Sequence, residues 1–524
     1  MFKDSIVLQN CEIYLKTGYF SLEIRKGKII SIFPQERLES VTSKTNVLDM
    51  AGHYVLPGFS DAHMHLSAVA GFMSAVDLSQ TQSLEEVRKK LARHHNQDLI
   101  LGVNLDNEKF PDQKLPDKRD LDEISTEKPV IIVRVGHHLA VLNSKALTIC
   151  GVQEKIQCME SGLIGKFPDG ELNGVLEESA ISFADNLLKR SMLEGTRRNL
   201  LQAQEKALSF GLTSVSELNS TWEILETYRE LEESQQLKVR VNVYMQAACL
   251  DDERRLLEQK ERGEFVRVRG VKFFVDGDHA IRTAALYKDY TDDPGNSGVL
   301  TISFEELANN VGRANQLGFP VAIHAIGDKA IDWAINALAM QRTENPLRNR
   351  IEHLQLPGKN TIQKLKETNI CTVVQPIFTN YEIAWTERRI GEERIAYANP
   401  LRLLVEAGVE VAGSSDCPIY SIDDMNPFWG IYCCVSPHNL DDQLLPWWAA
   451  KERISLEQAI DIFTKGAAFA CIENKGRIKT GMLADLTVIP KNPFHCNLRD
   501  IKQMPVLMTI VGGQVVYQNQ TWTE

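Results

Sequence analysis

Between about residues 55 and 414 the chain alternates short apolar runs with longer amphipathic stretches, and this alternation restricts it to a parallel α/β architecture. Eight runs read as strands: 55–63, 213–217, 239–245, 268–275, 320–324, 350–353, 371–375 and 409–414. Helical patterns separate most of them, as at 304–316 and 329–340. Eight such strands predict a closed (β/α)8 TIM-like barrel. The alternative is a doubly wound open sheet, and the chain carries no GxGxxG or P-loop segment to support it.

Both ends have a different texture. Residues 5–15 and 21–33 are β-rich, the second run broken by a turn at Arg25-Lys26-Gly27-Lys28, and β-rich runs return at 486–489, 506–511 and 514–517. The expected organisation is a small β-sandwich assembled from 1–57 and 470–524, around a barrel domain at 58–469. The gap between the first two barrel strands is too long for a simple connection. It holds a strand-like run at 129–135, so an inserted α+β subdomain is expected at about 70–175.

Composition narrows the function. The 524 residues carry a formal net charge of −12, which argues against nucleic acid as the main partner, because phosphate binding requires a basic surface. The first ten residues lack the apolar core of a signal peptide, and no apolar run approaches the roughly 18 residues of a membrane span. The ten cysteines show no CxxC pairing, and the adjacent Cys433-Cys434 reads as a buried pair in a strand or helix. Reduced thiols, a cytoplasmic location and no membrane partner are the expectation; a homo-oligomer is compatible with all of this.

Chemistry concentrates at strand ends. In Pro57-Gly58-Phe59-Ser60-Asp61-Ala62-His63-Met64-His65 the two histidines are two residues apart, so on a strand both face the same side. Imidazole is the commonest metal ligand, and the C-terminal ends of barrel strands are where such enzymes place reactive groups. Alone, the pair reads equally well as two core histidines. Three further apolar strands also end on polar groups: at His324, at His353 and, after Gly413-Ser414-Ser415, at Asp416. Lys272 lies within the apolar run Gly270-Val271-Lys272-Phe273-Phe274-Val275. Full burial lowers a lysine pKa by about 3–5 units, roughly 4–7 kcal/mol if the charge is forced. A neutral amine there can react with carbon dioxide to give an anionic carbamate; the alternative is a lysine that snorkels outward or pairs with Asp276.

Nearly end to end, the sequence resembles the amidohydrolase superfamily, and specifically amidohydrolase family 3, the branch that includes N-substituted formamide deformylases. The resemblance rests on Pro57 to His65, on Gly136-His137-His138 with Asn143-Ser144-Lys145, and on Val271-Lys272 with Asp276-Gly277. It continues through Arg282-Thr283-Ala284, His324-Ala325-Ile326-Gly327-Asp328, Ile351-Glu352-His353, Gln375-Pro376, Ser415-Asp416 and Gly481 to Leu486. It implies one or two divalent ions, zinc foremost. His63 and His65 would bind the first, His324 and His353 the second, and a carboxylated Lys272 would lie between them. Asp416 would touch the first ion and handle the proton during hydrolysis of a non-peptide carbon–nitrogen bond in a small amide or formamide.

His138, Asn143 and Arg282 are the substrate-side candidates under the same resemblance. On residue chemistry alone they read as a loop histidine, a helix N-cap and a surface arginine. The pattern departs from the family at Asn104-Leu105, where Gly-Trp is usual, at Asp278, where serine is expected after Asp-Gly, and at Ile377-Phe378, where a histidine often follows Gln-Pro. These departures bear on the substrate rather than on the metal ligands. A deaminase or another hydrolase on the same barrel is the rival enzyme reading. A barrel that serves only as an interaction scaffold would be expected to lack ligands, whereas all six positions are filled here.

Overall fold

The computed structural model describes residues 5–35, 46–73, 75–95, 97–136, 138–155, 164–184, 187, 196–260, 262–341, 347–520 and 522; His137 lies outside them. The chain separates into two compact units, one formed by 1–65, 204–416 and 424–524, the other by 66–203 with 417–423.

The first unit contains a nearly closed parallel barrel. Its strands, in chain order, are Phe59–Met64, Leu212–Ser220, Arg240–Gln246, Val266–Phe274, Val321–Ala325, Arg350–His353, Cys371–Val374 and Val411–Gly413, each hydrogen-bonded to the next. No ladder joins the eighth strand to the first. Instead the residues just past the eighth strand close the ring: Ser415 donates from its N–H (3.1 Å) and its hydroxyl (2.5 Å) to Asp61, and the Asp416 N–H donates to the His63 carbonyl at 2.8 Å.

Local sequence accounts for the helices between strands. Ser303 caps Phe304–Gln316 by accepting from the Glu306 N–H, with Glu305 and Glu306 in the positive first turn. Leu307, Val311 and Ala314 form the buried stripe of that helix. The following helix, Asp328–Ala339, buries Ile331, Ala334, Ile335 and Leu338 at the same spacing. The pair Cys433-Cys434 lies buried in the helix Pro427–Val435, and each described cysteine is a free thiol.

The expected first strand at 55–63 is in fact two strands. Tyr54–Pro57 pairs with Leu486–Ile489 and Ser5–Ile13 in a separate sheet, and the barrel strand begins at Phe59. Pro57-Gly58 makes the break. A Cβ on Gly58 would stand 2.5 Å from the Thr213 side chain and 2.9 Å from the Asp485 backbone, so only glycine lets the chain pass between the two sheets here. That separate sheet has eight strands drawn from both ends of the chain, running from Gln514–Gln518 through Leu486–Ile489, Tyr54–Pro57 and Ser5–Ile13 to Lys28–Pro34. Its core mixes Leu8, Leu22 and Ile24 with Leu486, Val488 and Ile510.

Asp485 ties this sheet to the barrel. Its buried carboxylate accepts from Arg240 at 2.8 and 3.2 Å and from the Gly512 N–H, with Lys475 at 3.4 Å. Burial alone would raise its pKa, but Arg240 and Lys475 outweigh that and hold it at about 2. A depressed carboxylate stabilises the fold above its ordinary value near 3.8 and loses that contribution as pH falls towards 2. Asp485→Asn is therefore expected to cost about 2 kcal/mol at pH 7, with the gap to wild type closing below pH 4. Thermal unfolding from pH 2 to 7 measures it, and a gap independent of pH would refute the ion-pair account.

The second unit carries a six-stranded mixed sheet ordered Ile164–Lys166, Leu172–Glu177, Leu139–Leu142, Val130–Arg134, Ile100–Leu105 and Val76–Asp77. Successive residues of its central strand enter different clusters, Ile131 and Val133 one and Val130 and Ile132 the other, so both faces are covered.

Candidate metal centre

Four histidines, a lysine and an aspartate meet at the C-terminal ends of the barrel strands. His63 and His65 come from the end of strand one, Lys272 from strand four, His324 from strand five, His353 from the end of strand six, and Asp416 from just past strand eight. The imidazole rings form a contiguous set, with centroids 5.6 Å apart for His63 and His65, 4.9 Å for His63 and His353, and 4.6 Å for His324 and His353. His353 and Asp416 both have left-handed backbones, with φ of +73° and +54°. Such strain in non-glycine residues concentrates at functional sites.

The ring nitrogens are sorted. His63 Nδ1 lies 2.5 Å from Glu352 Oε2, His65 Nδ1 lies 3.0 Å from the Leu218 carbonyl, and His353 Nδ1 lies 3.0 Å from Gln375 Oε1. His324 is turned the other way, its Nε2 lying 3.1 Å from the Gly277 carbonyl. In His63, His65 and His353 the Nδ1 atom is anchored to an oxygen, which leaves Nε2 of these three rings for a cation. Metal-ligating histidines are characteristically held this way.

The donor set fits a divalent ion. His63 Nε2, His65 Nε2 and an Asp416 carboxylate oxygen all lie within 4.8 Å of one another. Asp416 Oδ1 is buried, receives no well-aligned hydrogen bond, and stands 3.3 Å from His63 Nε2 and 3.2 Å from His65 Nε2. Ligand atoms held about 2.0–2.1 Å from an ion at tetrahedral angles stand about 3.4 Å apart, close to both of these edges.

Burial and the neighbouring charges shift the candidate ligands in different directions. Burial holds the His63 and His353 imidazoles well below their ordinary value, and neighbouring His324 and His63 push His353 down further. Burial also opposes protonation of His65, but Asp416 outweighs it and the net shift is upward. Asp416 is the converse: burial would raise its carboxyl, and His63, His65 and Lys272 together lower it. Burial brings the Lys272 ammonium down to about 8. Among the described residues Lys272 makes no hydrogen bond or ion pair, and its Nζ lies 4.8 Å from the centre of the Phe274 ring. Asp276, the alternative partner, accepts instead from the N–H groups of Ala285, Ile326 and Gly327.

Each substrate-side candidate has polar partners of its own. Asn143 caps the helix Ser144–Cys150, accepting from the Ala146 and Val130 N–H groups and donating to the Ser125 and Lys128 carbonyls. Its amide is thus fully engaged inside the second unit. Arg282 holds Asp292 through a two-bond contact of 3.1 and 2.7 Å. His138 lies in the second unit with its Nδ1 2.8 Å from Glu178. Of the residues that depart from the family pattern, Asp278 caps a short turn of 3-10 helix by accepting from the Ala280 N–H, and Phe378 stacks on His353 with an interplanar angle of 9°.

Sequence reasoning missed Glu352 and Arg350. Arg350 is fully buried, donates to Glu352 at 2.6 and 3.2 Å, and reaches the Ala62 carbonyl at 2.7 Å. The chain Arg350–Glu352–His63 thus orients a candidate ligand from 289 residues away.

Comparison with known proteins gives the family. The sequence profile of the amidohydrolase family matches residues 46–517, and the chain belongs to that family. It is 26% identical to the N-substituted formamide deformylase of Arthrobacter pascens, over 90% of each chain. It is 29% identical to the protein LONG AFTER FAR-RED 3 of Arabidopsis thaliana, over 95% of this chain and 88% of that one. Among solved structures, a metal-dependent hydrolase from Pyrococcus horikoshii superposes with a TM-score of 0.80 at 28% identity, covering 94% of this chain and 99% of that one. The chain is an amidohydrolase-family barrel whose structural neighbours are metal-dependent hydrolases. No helix among the described residues is long and apolar enough to cross a membrane.

Proposed function

We propose that the protein is a metal-dependent amidohydrolase that cleaves a non-peptide carbon–nitrogen bond, of an amide or formamide, in a small molecule. The observation that carries this reading is the convergence of His63 Nε2, His65 Nε2 and Asp416 Oδ1, with the opposite nitrogen of each ring already anchored. A divalent ion, zinc by preference for this imidazole-rich set, supplies Lewis acidity and lowers the pKa of water to about 7.

The chain's own residues do the rest. His63, His65 and Asp416 would hold a first ion, and His324 with His353 a second. Lys272, its ammonium depressed by burial, would be the amine to take up carbon dioxide as a carbamate ligand. Asp416 stays ionised beside the histidines and accepts a proton from the attacking water. It then gives that proton to the departing nitrogen, so one carboxylate acts first as base and then as acid. Arg350 and Glu352 keep the His63 ring in place. The N-substituted formamide deformylase relative makes formamides the first substrates to try. The departures from the family pattern at Asn104, Asp278 and Phe378 make a different acyl or amine group the alternative.

Gently purified protein is expected to carry one to two equivalents of a first-row divalent ion and to hydrolyse members of a panel of formamides, N-acyl amino acids and cyclic imides. Lys272→Ala is expected to retain no more than half the wild-type metal. Less than about a tenth of an equivalent, with no turnover after added zinc, would sink the reading. Turnover of amino-purines without amide turnover would move the protein to the deaminases.

A further inference from the structure

Beside the metal centre lies a small pocket lined in part by His353. Leu354, Pro376, Leu401 and Leu445 give it apolar walls, while Gln355, Asn399 and Glu452 contribute polar side chains. Each of these three has a buried atom that receives or makes no hydrogen bond: Gln355 Oε1, Asn399 Nδ2 and Glu452 Oε1. Gln355 is only 2% exposed and Glu452 only 6%. A buried polar group without a partner is costly, and three on one pocket mark a place that a ligand's polar atoms complete.

Neighbouring contacts engage one end of the Gln355 and Glu452 side chains and leave the other. Gln355 gives its Nε2 to Glu382 Oε2 at 2.7 Å, so its free end is the oxygen. Glu452 Oε2 accepts from the Arg402 and Leu403 N–H groups at 3.0 and 3.3 Å, which leaves Oε1. The Lys451 ammonium stands 3.8 Å from that oxygen and donates to the Ala396 carbonyl. Asn399 is locked to the same frame by its own N–H, which donates to the Gln355 carbonyl at 2.7 Å. The pocket therefore offers two acceptors and one donor.

We infer that this pocket binds a primary carboxamide on a slender apolar stem, its two N–H groups meeting Gln355 Oε1 and Glu452 Oε1 and its carbonyl meeting Asn399 Nδ2. An alkylammonium would satisfy the two oxygens but face the Asn399 donor, a carboxylate would meet two acceptors, and an alcohol would leave partners unmade. The pocket thus selects the handle by which a substrate is held next to His353. The assignment of that handle to a substrate rests on the amidohydrolase reading above, whereas the binding chemistry does not.

Butyramide is the probe, with butylammonium, butyrate and 1-butanol as comparators, titrated into the full-length, metal-loaded protein and soaked into its crystals. The expected result is that butyramide binds at least 10-fold more tightly than any comparator, with density in this pocket. Asn399→Asp suits the left-handed backbone at that position and exchanges the donor for an acceptor. It should reverse the order, so that butylammonium binds more tightly than butyramide. Glu452→Gln should weaken butyramide about 10- to 100-fold. Thermal unfolding of both variants within a few degrees of wild type confirms that the fold is kept. Water alone in the pocket, equal affinities for the four probes, or no reversal in Asn399→Asp would overturn the inference. Butyramide binding without any amide turnover would leave the pocket standing and remove the hydrolase reading; turnover without butyramide binding would do the opposite.

Discussion

Asp416→Asn is expected to lower kcat by about 10²–10⁴-fold while most of the metal is retained. The substitution is close to isosteric, and asparagine tolerates the left-handed backbone at this position, where φ is +54°. An oxygen therefore remains near His63 and His65. What disappears is the charge and the ability to take a proton. In the wild type, His63, His65 and Lys272 outweigh burial and keep this carboxyl ionised through the neutral range. General acid–base groups contribute typically 10²–10⁴-fold, about 3–5 kcal/mol of barrier, and the loss should appear in kcat more than in KM. The comparison requires metal analysis of both proteins. A metal-replete variant that keeps more than about a third of wild-type activity would show that the proton is handled by another group.

The parts of this site that were legible in the sequence are those written in local periodicity. His63 and His65 share a face because strand residues alternate, and His324, His353 and Asp416 were visible because each ends an apolar run too short to be anything but a strand. The helix expected at 304–316 has those bounds in the structure, since its serine cap, acidic first turn and apolar stripe are all local signals. What depends on distant partners was not legible. Glu352 appeared only as a letter between Ile351 and His353, because the ring it orients lies 289 positions away. Arg350 opened a strand with a charge, which alone suggests an exposed edge, yet it is wholly buried against Glu352, the Ala62 carbonyl and the Tyr244 ring. At Asn143 the signal was local: the Asn-Ser pair reads as an N-cap, and the structure shows that cap. At Pro57-Gly58 a breaker was present in the sequence, but only the packing of two sheets against Gly58 turns it into a boundary.

The same buried network supports the second large effect. Arg350→Met is expected to destabilise the protein by about 3–5 kcal/mol, because it leaves the Glu352 carboxylate buried with no cation beside it. The guanidinium now meets that carboxylate at 2.6 and 3.2 Å, reaches the Ala62 carbonyl at 2.7 Å and lies 4.3 Å over the Tyr244 ring. Stability and function separate in the double variant. Arg350→Met with Glu352→Leu removes both charges and replaces them with apolar side chains of similar bulk, an exchange that is often close to neutral for folding. Most of the lost stability should return. Metal binding should not, because His63 Nδ1 has lost the oxygen 2.5 Å away that sets its tautomer and aims Nε2 at Asp416. Loss of such an orienting group typically costs 10–100-fold in metal affinity. Thermal unfolding of the metal-free proteins gives the first quantity, and competition for zinc against a chromophoric chelator gives the second. A double variant that recovers its stability and still binds zinc as tightly as wild type would mean that Glu352 balances the Arg350 charge without positioning His63.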